Sequence, residues 1–143
     1  MIQNEIKKVN ENMQEIQEES KKLLQEHANT TFELLTEYSL PDLIHLRHII
    51  KKSLTPLEIN IREIELKIKT ITINLKNSKE YSEFKTIKAK EEQATLDTSE
   101  MKEGLLQLKL LRNQLRDLHE LIVITLDLEF KVLEDQIINP GEE

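Results

Sequence analysis

A chain of 143 residues with two Gly, three Pro and no Cys lacks the turn residues that an all-β or α/β fold needs at its connections. It also offers no disulfide, thiolate nucleophile or Cys-based metal site. Charged residues make up 33% and aromatics 3%, and the net charge is −7; this is the composition of long amphipathic helices with aliphatic cores, and it argues against a nucleic-acid partner, which needs a dense basic face.

These limits predict an all-α chain: an elongated antiparallel helical bundle or coiled coil of three long helices plus one short connector helix. No Pro-, Gly- or Ser-rich stretch divides it, so residues 1–143 are expected to form a single domain. Residues 1–38 carry four basic against eight acidic side chains and residues 97–143 five against eleven, whereas 39–53 and 54–96 are mildly basic. A basic middle between acidic ends should attract along both helix seams.

The first helix is predicted over about 2–38. Ile2, Ile6, Val9, Met13 and Ile16 follow the alternating 4,3 spacing of a coiled-coil seam. The stripe falters at Ser20 and resumes at Leu24, Ala28, Phe32 and Leu35, a change of phase that implies a change of neighbour. Ser39-Leu40-Pro41-Asp42 ends this helix and starts a short one over 41–53, because Pro41 has no backbone donor and fits a first helical turn. Thr55-Pro56 repeats that punctuation, with Thr55 as the expected N-cap.

A third helix is predicted over 56–96, with a polar extension after 76. Leu57, Ile64 and Ile71 recur every seven residues, as do Ile59, Leu66, Ile73 and Ile61, Ile68, Leu75. That recurrence outweighs the local alternation of β-branched residues from Lys67 to Leu75, which taken alone reads as a strand. Asp97 and Glu100 stand at capping-box spacing and open a fourth helix over 98–138, with Asn139-Pro140-Gly141 as its stop and 139–143 as a tail. Leu111, Leu115, Leu118, Ile122, Leu126, Phe130, Leu133 and Ile137 form its main stripe, and a second stripe makes this helix the expected centre of the bundle. Folding back at Asp97 would place Leu57 near Gln136 and Leu75 near Leu118, with the stable core at 57–75 and 105–138 and a wetter hairpin tip at 77–96.

Three sets of residues stand out as candidate sites. Tyr81, Phe84 and Ile87 punctuate the polar tip three apart and are candidate partner contacts, unless they merely cover the facing helix near Gly104 and Leu108. His45, Arg47, His48, Lys51 and Lys52 form a local basic patch that could meet an acidic partner or an anionic membrane surface, although the favoured reading is that Lys51 and Lys52 offset a helix dipole. The two histidines share a helical turn, but the sequence specifies no third metal ligand, and none is assigned. The seam Ile2, Ile6, Val9, Met13, Ile16 is a surface for a partner helix or a second copy.

No glycine-rich loop, serine elbow or metal motif sets any pair of carboxylates apart as an acid–base pair, so neither an enzyme nor a cofactor is expected. Small acidic helical-hairpin proteins that serve secretion are similar in size and composition, but the Trp-x-Gly turn of one such group is absent because the chain has no Trp, so no family is assigned. The expected function is a protein–protein interaction module: an adaptor, assembly subunit or chaperone acting through helix–helix contacts. A secreted or mobile-element effector that binds and blocks a target is the alternative, and a structural coiled-coil homodimer a third. The partner is another protein or the chain itself; membrane and small-molecule ligands are not expected. Met1 to Val9 has no apolar signal-peptide core and no run reaches the roughly 18 apolar residues of a membrane span, which makes the cytoplasm the default, with export lacking a cleaved signal the exception.

Overall fold

The computed structural model describes residues 2–138; the tail expected over 139–143 lies outside the described residues. The chain is all-α. Its helices are α1 (Ile2–Glu26), α2 (Phe32–Thr36), α3 (Leu40–Lys76), α4 (Ile87–Asp97) and α5 (Ser99–Ile138), with a 3₁₀ turn at Lys79–Tyr81. The three long helices α1, α3 and α5 make the bundle.

α1 ends at Glu26, well short of the expected 38. The residues that follow favour turns and caps over helix interior. His27 to Thr30 turn back through backbone bonds to Leu24, Gln25 and His27, and the Thr31 hydroxyl caps α2 by accepting from the Leu34 amide at 3.3 Å. α3 starts where Pro41 predicts, with the Ser39 hydroxyl accepting from the Asp42 amide at 3.3 Å.

The separate helices expected over 41–53 and from 56 are one. α3 runs straight through Pro56, although a proline there removes the bond to the Lys52 carbonyl and costs about 3 kcal/mol. Ile50, Leu54, Leu57 and Ile61 continue the core seam in 4,3,4 spacing across the proline and are all buried. Each contributes about 1.5–3 kcal/mol of burial, so packing on both sides of Pro56 outweighs the local defect.

The helix expected to continue to 96 stops at Lys76. Ser78 donates to the Leu75 carbonyl at 2.7 Å, the 3₁₀ turn follows, and Thr86 caps α4 by accepting from the Ala89 amide at 3.0 Å. Asp97 does not open α5 with a capping box. Its carboxylate is engaged by Tyr81 and Gln93 instead, and Thr98 alone separates α4 from α5, donating to the Ala94 carbonyl at 2.7 Å.

Because residues 77–97 fold back on the end of α3 and do not project as a hairpin tip, the register of α3 against α5 differs from the expected one. The Arg116 guanidinium donates through Nε and Nη2 to Glu58 Oε1, both at 2.6 Å, and Lys109 pairs with Glu65 at 2.7 Å. Leu57 therefore lies level with Asp117, not Gln136. The Lys109 ammonium and its hydrogen bond hold the Glu65 carboxyl below its ordinary value. Both pairs are partly exposed and contribute about 0–1 kcal/mol each. They also run against the block charges, since the acid comes from the basic helix and the base from the acidic one.

α1 lies antiparallel to α3 and parallel to α5: Ser20 and Leu23 border Pro56 and Leu57, while Gln17 Nε2 donates to the Gly104 carbonyl at 3.3 Å. A Cβ on Gly104 would sit 2.8 Å from Met13 Cε, so the end of the Met13 side chain occupies the space that the glycine leaves. The core joins Ile6, Val9 and Met13 of α1, α3 from Leu43 to Leu75 and α5 from Met101 to Leu126, with Leu35 of α2 closing one end. On α3 it reaches further back than expected, and on α5 it stops short of 127–138.

Candidate interaction surfaces

Most residues singled out as partner contacts are occupied within the chain. On α1, Ile6, Val9 and Met13 are buried, and Ile2 and Ile16 pack against the core at its margins. The seam expected to await a partner or a second copy is thus consumed by α3 and α5.

Tyr81, Phe84 and Ile87 do not share a surface. Tyr81 is 3% exposed, with its ring edge-on to Phe84 at a centroid distance of 5.5 Å. Its hydroxyl donates to Asp97 Oδ2, and Gln93 Nε2 donates to Oδ1 of the same carboxylate at 2.9 Å. Burial first, and then the hydrogen bond to the carboxylate, push the Tyr81 hydroxyl well above the ordinary phenol value. Phe84 is half-buried, and Ile87, at the first turn of α4, is 78% exposed. The 3₁₀ turn aims Tyr81 inward as a clasp between the loop and α4, and leaves Ile87 outside.

His45, Arg47, His48, Lys51 and Lys52 are all exposed, on the first half of α3 and not on a separate connector. Arg47 and Lys51 face α5 closely enough to act on His119, whose imidazole is held below its ordinary value by burial first and then by these two cations. His119 Nε2 is buried without a hydrogen-bond partner. Among the described residues no group of three His, Cys, Asp or Glu is placed to hold a metal ion, and no helix is long and apolar enough to cross a membrane.

Sequence reasoning missed the far end of α5. Leu128, Phe130, Val132, Leu133, Ile137 and Ile138 are each between 42% and 72% exposed. The geometry follows from helix lengths. Carrying the Gln17–Gly104 register along α1 brings its last residue, Glu26, level with Asn113, and carrying the Glu58–Arg116 register along α3 brings Leu40 level with Glu134. Beyond Asn113 α5 loses α1 and keeps α3, the five-residue α2 and, as far as Leu121, the turn at His27–Thr30; beyond Glu134 it has passed the start of α3 as well. Yet Phe130, Leu133 and Ile137 continue the stripe that Ile122 and Leu126 bury inside the bundle. Phe32, Leu34 and Tyr38, at or beside α2, and Ile44, near the start of α3, are also substantially exposed at this end.

Other apolar features lie elsewhere on the bundle. Ile59, Leu66 and Ile73 form an exposed row on the outer side of α3, one residue per two turns. A groove between the end of α1 and α5 is bordered by Leu24, Ala28, Leu110 and Leu121 but has Gln114 and Asp117 on its wall. Compared with known proteins, the chain matches no family model, no curated protein and no solved structure.

Proposed function

We propose that the chain is a non-enzymatic protein–protein interaction module, an adaptor, assembly subunit or chaperone, which engages its partner by helix–helix contact at the far end of α5. The observation that carries this reading is the exposed continuation of the core stripe at Phe130, Leu133 and Ile137. Phe130, Leu133 and Ile137 share one face over about two turns, an exposed apolar row of the kind a partner helix docks on. A helix laid along this stripe would restore the three-helix cross-section that α1 provides at the other end.

The reading is tested with a photo-crosslinking residue at position 130 or at position 66, both exposed, with the protein in its native cell. Protein adducts from position 130 and none from position 66 support it. Adducts from both positions alike, or from 66 alone, refute it.

A further inference from the structure

The kind of partner can be narrowed by charge, an inference that rests on the α5 end being the contact surface. Three occupants could cover the stripe: a second copy of the chain, a lipid surface, or a helix from another protein. Residues 127–138 carry Asp127, Glu129, Glu134 and Asp135 against the single cation Lys131; Glu33 of α2 and its C-cap Glu37 add two acids, and on α3 Asp42 offsets Arg47, which the register sets level with Asp127. A second copy docking stripe on stripe would bring like charge against like charge, which costs affinity and suppresses pairing. An anionic membrane is repelled for the same reason.

We infer that the occupant is a cationic amphipathic helix of another protein, its apolar stripe laid along Phe130, Leu133 and Ile137 and its Lys or Arg rows meeting the acids that flank them. At 100° per residue Glu129 falls on one side of the stripe and Glu134 on the other. An incoming helix with bases on both edges of its apolar face therefore meets an acid on each. Glu129 and Glu134 pair with no cation among the described residues, so both carboxylates are available.

The test uses the full chain and two labelled helical peptides of about 18 residues with the same leucine stripe, one flanked by Lys and one by Glu, titrated by fluorescence anisotropy at low and moderate salt. The Lys peptide is expected to bind at least about tenfold tighter, with the gap closing as salt rises. Leu133→Asp should weaken it about tenfold, and the double variant E129K/E134K should reverse the preference. E11K/E18K, which makes the same charge change on the exposed face of α1, should leave binding unchanged. Circular dichroism establishes that each variant keeps its helicity.

Equal binding of both peptides, lost in L133D, overturns the cationic assignment and leaves the α5 end as the contact surface. A loss with E11K/E18K as large as that with E129K/E134K also overturns it, because net charge alone would then explain the binding. Binding of neither peptide, with concentration-dependent dimerisation abolished by L133D, overturns it in favour of a second copy. Binding that L133D does not affect, or no binding and no dimer, overturns the inference together with the contact surface on which it rests.

Discussion

Replacing Tyr81 by Phe deletes one hydroxyl and keeps the ring that meets Phe84 edge-on at 5.5 Å, so it isolates the clasp to Asp97 from the packing around it. A hydrogen bond to a charged group contributes about 1.5–3 kcal/mol. Asp97 is half-buried and retains the Gln93 donor at 2.9 Å, which places the loss at the lower end, about 1–2 kcal/mol. For a chain of this size that lowers the melting temperature by about 3–7 °C. The alkaline limb supplies a second readout. The folded state holds the Tyr81 phenol protonated well above its ordinary value near 10. Above pH 10 the unfolded chain therefore releases a proton that the folded chain keeps, and stability falls by about 1.4 kcal/mol per pH unit. The contribution is fully present below pH 10 and is lost as pH rises. Urea unfolding of wild type and Tyr81→Phe at pH 7 and at several values from 9.5 to 11 measures both effects, and subtracting one from the other removes the lysines common to the two. A difference below about 0.5 kcal/mol at pH 7, or identical alkaline slopes, would refute the clasp.

Three further outcomes follow from the packing. Pro56→Ala restores the amide donor to the Lys52 carbonyl at an exposed position, and after the entropy that proline removes from the unfolded chain is deducted, a gain of about 1–2 kcal/mol is expected by denaturant titration; a loss would mean that the proline suits its place. Leu115→Ala, at a fully buried position, should cost about 3 kcal/mol, whereas Leu133→Ala at 42% exposure should cost less than about 1; equal costs would show that the core extends through the end of α5. His119 is held neutral in the folded chain by burial and by Lys51 and Arg47, so stability should decline as pH falls below about 6.5, where the unfolded imidazole takes up a proton first. Unfolding of His119→Leu between pH 7.5 and 5 should show a flatter profile than wild type, and parallel profiles would rule out the contribution.

What the sequence made legible was periodic, and what it concealed was long-range. The α1 seam and the buried rows of α3 could be read because a residue's neighbours three, four and seven positions away already define its face. The same reasoning could not tell which of the three apolar rows of α3 would be left out; Ile59, Leu66 and Ile73 are exposed, with Leu66 at the edge of the groove where Val9 of α1 meets Ile71. Pro56 misled for the opposite reason. Its local cost is real, but the buried residues on either side of it are held by helices distant in sequence. Tyr81 looked like a contact because its segment is polar. Its partner Asp97 lies on the far side of a loop and a helix, and nothing in local spacing joins the two.

The register of α5 depends on whether residues 77–97 project or fold back, and how far along it a third helix runs depends on where α1 stops. Leu24, Ala28, Phe32 and Leu35 would let α1 continue as a helix to Tyr38. In the register of Gln17 with Gly104, such a helix would run level with Thr125 and cover the flank of α5 as far as that point. The turn at His27–Thr30 ends the helix a dozen residues early, and of the apolar residues beyond it Leu35 alone returns to the core while Phe32 and Leu34 stay exposed. Even a helix carried to Tyr38 would stop short of Phe130, Leu133 and Ile137, so the surface assigned to a partner lies where neither α1 nor its continuation reaches.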